Sequence, residues 1–159
     1  KARGIDLEGD RLTDMTARMM DIYKDHLTEE TILLDGAEDM LRAYSVAGIR
    51  IAVVTNKPEA FSRRILDHFG LGAIVNCVVG GDTGPARKPA PDMLLELMRR
   101  TGIGPDRTLM VGDTTFDLDM ADAAGVRGIG VEDVGRLRGG QLRIWLGCAL
   151  QGPGRRLEG

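Results

Sequence analysis

The chain carries no large excess of charge of either sign, few aromatic side chains and only two cysteines. A net charge of -3 over 159 residues gives no electrostatic reason to expect a nucleic-acid partner. Cys77 and Cys148 stand far apart and match neither a metal knuckle nor a disulfide framework, which favours a reducing cytoplasm. No apolar run approaches the length of a membrane span, so no membrane contact is expected. The basic start Lys1-Ala2-Arg3 leads into acidic residues rather than an apolar signal core, and the absence of a leading Met points to a processed or partial chain. What is present, 43% hydrophobic and 28% charged residues, is the composition of one soluble domain.

Periodicity divides the chain into alternating elements. Leu12, Met15, Met19, Ile22, Tyr23 and Leu27 recur at helical spacing from about Asp10 to His26, a stripe read as packing surface. Asp35-Gly36 opens a second helix that stops near Gly48, and Ile49 to Val54 is a buried strand. Pro58 suits the first turn of a helix running to about Phe69-Gly70. A strand from Ile74 to Val79 and a helix from near Pro91 to Gly102 follow. The strand Thr108 to Val111, the helix Phe116 to Ala124 and the strand Val126 to Val131 complete a β-α alternation. Such alternation predicts an α/β fold, a parallel sheet with helices on both faces. After Glu132 the pattern fails: Gly135 to Gly159 is rich in Gly and Arg, with one apolar island from Leu142 to Leu150. Its only aromatic is Trp145, too little for a base-stacking surface, so no nucleic-acid role is expected of it.

The chemistry gathers on three strand ends. Thr55 follows the strand that ends at Val54, and its hydroxyl and the neighbouring backbone N–H groups can donate to a phosphoryl oxygen. Lys88, between Arg87 and Pro89, can supply a fixed positive charge. Asp113, in Val111-Gly112-Asp113-Thr114-Thr115-Phe116-Asp117, can bind Mg²⁺ directly, while Asp117 can hold a metal-bound water or orient Lys88. Each has a plain alternative: Thr55-Asn56 as a helix cap, Lys88-Pro89 as a solvated loop, Gly112-Asp113-Thr114 as a turn. Asp82 after Gly80-Gly81 can approach a site rim or cap its loop, and His26 and His68 receive no role.

The order of these motifs resembles the haloacid dehalogenase superfamily of aspartate-nucleophile phosphohydrolases. The likeness rests on Val53-Val54-Thr55-Asn56-Lys57-Pro58-Glu59-Ala60-Phe61, on Val79-Gly80-Gly81-Asp82 leading to Arg87-Lys88-Pro89-Ala90-Pro91, and on Val111 to Asp117. It covers roughly Leu33 to Val131, and its Thr-Asn-Lys-Pro and Gly-Gly-Asp elements are most similar to those of the phosphoglycolate phosphatase subfamily. The resemblance implies a Rossmann-like core, an Mg²⁺ cofactor and a small phosphorylated metabolite as substrate. It places Thr55, Asn56 and Lys88 on the phosphoryl group, with Thr55 and Lys88 also catalytic, and Asp113 with Asp117 at the metal.

The family also requires a first motif, Asp-x-Asp-Gly-Thr, ending a central N-terminal strand. Its first Asp attacks phosphorus to form an aspartyl-phosphate and its second serves as acid and base. Asp6-Leu7-Glu8-Gly9-Asp10 is a poor match, because Lys1 to Ile5 is too short and polar for a buried strand. A better alignment makes residues 1–33 the remnant of a helical cap, 34–131 the Rossmann-like hydrolase core, and 132–159 an atypical Gly/Arg-rich tail. The central first strand is then missing, two edges face a gap, and the isolated chain is expected to fold poorly. The island Leu142 to Leu150 is a weak candidate to fill that gap. A shifted reading frame would account for the tail, and the coding DNA tests it. Two functions follow: an Mg²⁺-dependent phosphomonoester hydrolase, inactive as this truncated chain, or a non-catalytic pseudo-enzyme with a residual phosphate and metal site.

Overall fold

The structure is a computed structural model and describes residues 10–29, 31–84, 86–131, 142–144 and 148–152. Helices α1 (Asp10–Asp25), α2 (Ala37–Val46), α3 (Glu59–His68), α4 (Asp92–Thr101) and α5 (Thr115–Ala123) alternate with strands β1 (Thr31–Leu33), β2 (Arg50–Val54), β3 (Val75–Val79), β4 (Thr108–Gly112) and β5 (Arg127–Gly130). Two further strands, β6 (Leu142–Ile144) and β7 (Cys148–Gln151), come from the C-terminal stretch.

The five-stranded sheet has the order β3-β2-β7-β4-β5. β2 pairs with β3 and β4 with β5, both parallel, as the α/β alternation predicts. The centre differs from the expected all-parallel sheet. β7 lies antiparallel between β2 and β4, with Ala149 opposite both Ala52 and Met110. The space between β2 and β4, expected to stand open as a gap, is therefore filled by the end of the apolar island. β7 is held at its far end by Gln151 Nε2 donating to Thr108 Oγ1 at 3.2 Å and by Arg107 Nη2 donating to Gly152 O at 2.7 Å. Neither β1 nor β6 is expected from the sequence; they pair parallel as a separate two-stranded sheet.

Helices cover both faces. Ile51, Val53, Cys148, Leu150 and Val111 point to one side, where Leu41, Ile65 and Leu66 of α2 and α3 cover them. Ala52, Val54, Ala149 and Met110 point to the other, against Met93, Leu94 and Leu97 of α4 and Met120 of α5. The two-residue alternation of β2 and β4 thus feeds two cores, and β7 contributes to each. β-branched Ile51, Val53 and Val54 suit so buried a strand.

The Met-rich stripe of α1 does not pack as expected. Tyr23 meets Phe61 with ring centroids 5.7 Å apart and Leu27 is buried, but Leu12, Met15, Met19 and Ile22 are 45–63% exposed. Only the C-terminal end of α1 reaches the core, so the preceding turns have nothing to cover them among the described residues. No helix among the described residues is long and apolar enough to cross a membrane.

Candidate active site

Strand order alone marks a candidate site. From β2 the chain moves outward to β3, and from β4 it moves outward the other way to β5. In open α/β sheets the crevice for ligands forms at the carboxyl ends of the strands where the order reverses, here between β2 and β4. Thr55 follows β2 and Asp113 follows β4, so both lie at that switch point.

Thr55 is nearly buried. Its N–H donates to Val79 O at 3.1 Å, and its Oγ1 accepts from Lys57 N at 3.2 Å, fixing the hydroxyl over the turn. The same turn is gripped by the loop after β3. Gly81 N donates to Lys57 O at 2.9 Å, and a β-carbon on Gly81 would overlap the Asn56 carbonyl. Asp82 Oδ1 accepts from Glu59 N at 2.8 Å, satisfying an N-terminal N–H of α3 that Pro58 has no side chain to cap. Asp82 thus caps a helix across the loop.

Lys88 and Asp117 form an ion pair whose side chains are only 8% and 4% exposed. Asp117 is held from behind: Thr114 Oγ1 donates to its Oδ2 at 2.7 Å, Thr114 N donates to the same oxygen at 3.3 Å, and Asp117 N donates back to Thr114 Oγ1 at 3.3 Å. This reciprocal capping box starts α5 and pins the carboxylate over the end of β4. Gly112 permits it, since a β-carbon there would overlap that of Asp117. The spacing of Gly112, Thr114 and Asp117 is therefore one device: a close approach, a cap and an anchored charge.

Of the residues expected to form the site, Asn56, Lys88 and Asp117 are joined by direct contacts. Thr55 is the chain neighbour of Asn56, and Asp113 is exposed just past the carboxyl end of β4. Asp6 and Glu8 of the near-match to the first motif lie outside the described residues. The residue missed by sequence reasoning is Cys148. It stands level with Val53 and Val111, one residue short of the end of each flanking strand, and within electrostatic reach of Lys88 and Asp117. Nothing local marks it, because its position depends on strands far away in the sequence.

Burial, reinforced by Asp117 and opposed by Lys88, pushes the Cys148 thiol from 9.0 up to about 12. The folded state keeps this proton where the unfolded thiol loses it. Its contribution to stability is therefore complete below pH 9 and is lost as pH rises toward 12. At pH 8 a thiol reagent should label the half-buried Cys77 in the native chain and reach Cys148 only on unfolding. Above pH 9 the melting temperature should fall more steeply in the parent than in Cys148→Ala. Equal native labelling of both thiols would contradict this burial.

The donor set limits how a cation such as Mg²⁺ could be held. Among the described residues no group of three or more His, Cys, Asp or Glu side chains could hold a metal ion, and the Asp117 carboxylate is engaged by Lys88 and Thr114. Mg²⁺ commonly takes one or two carboxylates and completes its shell with water and substrate phosphate. An exposed carboxylate just past the end of β4, Asp113, is chemically compatible with that limited demand.

The family model described as haloacid dehalogenase-like hydrolase matches residues 5–131. A phosphoglycolate phosphatase of Pseudomonas putida is 39% identical over 115 residues, 72% of this chain and 42% of that protein. Another, of Cereibacter sphaeroides, is 40% identical over 126 residues, 79% of this chain and 57% of that protein. The chain thus spans roughly half the length of these relatives. Among solved structures, a predicted phosphoglycolate phosphatase from Haemophilus somnus superposes with a TM-score of 0.69 at 28% identity, covering 78% of this chain and 55% of that one. From residue 5 to residue 131, where the strand ends and the buried Lys88–Asp117 pair reside, the chain belongs to the haloacid dehalogenase-like hydrolase family.

Proposed function

We propose that this chain carries the phosphate- and Mg²⁺-binding part of a phosphomonoester hydrolase of the phosphoglycolate phosphatase type, acting on a small phosphorylated metabolite in the cytoplasm. The observation that carries the reading is the buried Lys88–Asp117 pair at the strand-order switch point, beside the turn that fixes Thr55. An ammonium held there by a fixed carboxylate is a preorganised charge for a phosphoryl oxygen, and the Thr55 hydroxyl can donate to a second. Asp113 would hold Mg²⁺, which when bound neutralises charge on the phosphoryl group. Asp117 serves here as the anchor of Lys88 rather than as a metal ligand.

The same geometry favours absence of turnover by the chain alone. The central strand brings Cys148, a thiol kept protonated by burial, within electrostatic reach of Lys88 and Asp117, and its described residues, 148–152, include no carboxylate to act as nucleophile. Phosphate release from 2-phosphoglycolate and from an aryl phosphate tests both halves of the proposal. The chain itself should release none. A version with a strand ending Asp-x-Asp-Gly-Thr joined ahead of residue 1, and residues 142–159 removed to open the slot, should turn over only with Mg²⁺. Turnover by the unaltered chain that disappears in Asp6→Asn would overturn the inactive reading.

A further inference from the structure

We infer that Asn56 is a positioning residue for Lys88. This rests on the reading of Lys88 as the phosphate-binding charge, and it departs from the expectation that Asn56 binds substrate. Lys88 N donates to Asn56 Oδ1 at 3.0 Å, and Asn56 Nδ2 donates back to Lys88 O at 3.5 Å, across 32 residues of sequence. One carboxamide thus takes both the donor and the acceptor of a single distant backbone residue. Those groups belong to the residue whose side chain enters the buried pair with Asp117.

The rest of the loop after β3 closes around the same peg. Gly81 approaches the Asn56 carbonyl as only a glycine can, and its N–H donates to Lys57 O. Arg87 Nε donates to Gly81 O at 3.2 Å, folding the residue before Lys88 back onto the loop. Asn56 is exposed, yet both its amide oxygen and its amide nitrogen are directed to backbone rather than toward a ligand. A long lysine side chain has many rotamers, and the pair with Asp117 fixes only its far end. Asn56 fixes the near end, so the ammonium reaches Asp117 from a defined origin. Without it the ammonium spends more time away from the carboxylate and exchanges its protons faster.

Lysine ammonium NMR reads this without substrate, Mg²⁺ or turnover. The chain has only four lysines, Lys1, Lys24, Lys57 and Lys88, and Lys88→Arg identifies the signal. In the parent at neutral pH the Lys88 ammonium should be observable and protected by its pair with Asp117. In Asn56→Ala its proton exchange should rise by about tenfold, the scale set by one lost hydrogen bond, while the backbone amide spectrum stays folded. Asn56→Asp keeps the oxygen that accepts from Lys88 N, so it should restore most of the protection. Unchanged Lys88 exchange in Asn56→Ala, or failure of Asn56→Asp to restore it, would overturn the inference. A strand-supplied version that turned over phosphate normally, with either of these results in the chain, would overturn the role of Asn56 alone. A strand-supplied version that stayed inactive while the chain gave the expected result would overturn only the phosphatase reading.

Discussion

Ala149→Glu should abolish cooperative folding of the chain. Ala149 has no solvent exposure, sits opposite Ala52 and Met110 at the middle of the sheet, and lies in one buried core with Val54, Met93, Leu94 and Met120. A carboxylate placed there has no partner and no room. The cost of burying an unpaired charge, even after it takes up a proton, is several kcal/mol, and overpacking adds roughly 1–3 kcal/mol. Small domains are stable by only about 5–15 kcal/mol in total. Removing residues 142–159 should have the same outcome, because β2 and β4 would be left facing each other across an open slot. Ala60→Glu, at an exposed position in the first turn of α3, is the control and should melt like the parent. Circular dichroism melts decide the matter: a cooperative, parent-like transition in Ala149→Glu would mean that β7 is not the central strand.

The second large effect concerns the ion pair beneath the site. Asp117→Ala should destabilise the chain by about 3–5 kcal/mol, since it leaves the Lys88 ammonium buried without its partner. Loss of the Thr114 capping box adds on the order of 1 kcal/mol. Lys88→Met alone should also destabilise, because it strands the carboxylate. The double variant Lys88→Met/Asp117→Ala should be less destabilised than the two single losses summed, with a coupling of roughly 0.5–3 kcal/mol between the two sites. Denaturant unfolding of the three variants gives the cycle directly. Strict additivity would show that the two side chains act independently, contrary to their contact.

Much of this arrangement is legible in the sequence because its causes are local. Ile51 to Val54 reads as a buried strand because β-branched residues run together, and Gly112, Thr114 and Asp117 read as a unit because a tight approach and a cap need those residue types at that spacing. The centre of the sheet is not legible in the same way. Cys148-Ala149-Leu150-Gln151 contains no β-branched residue, lies among glycines and arginines, and is too short to establish a period. Its placement follows from a slot whose walls, β2 and β4, are separated in sequence by two helices and a strand. The exposed stripe of α1 fails for a related reason: periodicity identifies an apolar face but says nothing of what covers it. Asn56 is similar. Its type and neighbours fit a phosphate turn, and only the fold reveals that its amide is directed to the backbone of Lys88.

On the proposed function, the strand ends of this chain form a phosphate site that would work through Mg²⁺ held by Asp113 once a nucleophile is present. The most direct measurement of this is the rate of phosphate release by the strand-supplied version, with and without Mg²⁺, beside the same version carrying Asp113→Ala. Release should need Mg²⁺ and fall by about a hundredfold or more in Asp113→Ala, the scale of losing one preorganised charge-stabilising group. Release that is equal with and without Mg²⁺, or unchanged by Asp113→Ala, would contradict that function.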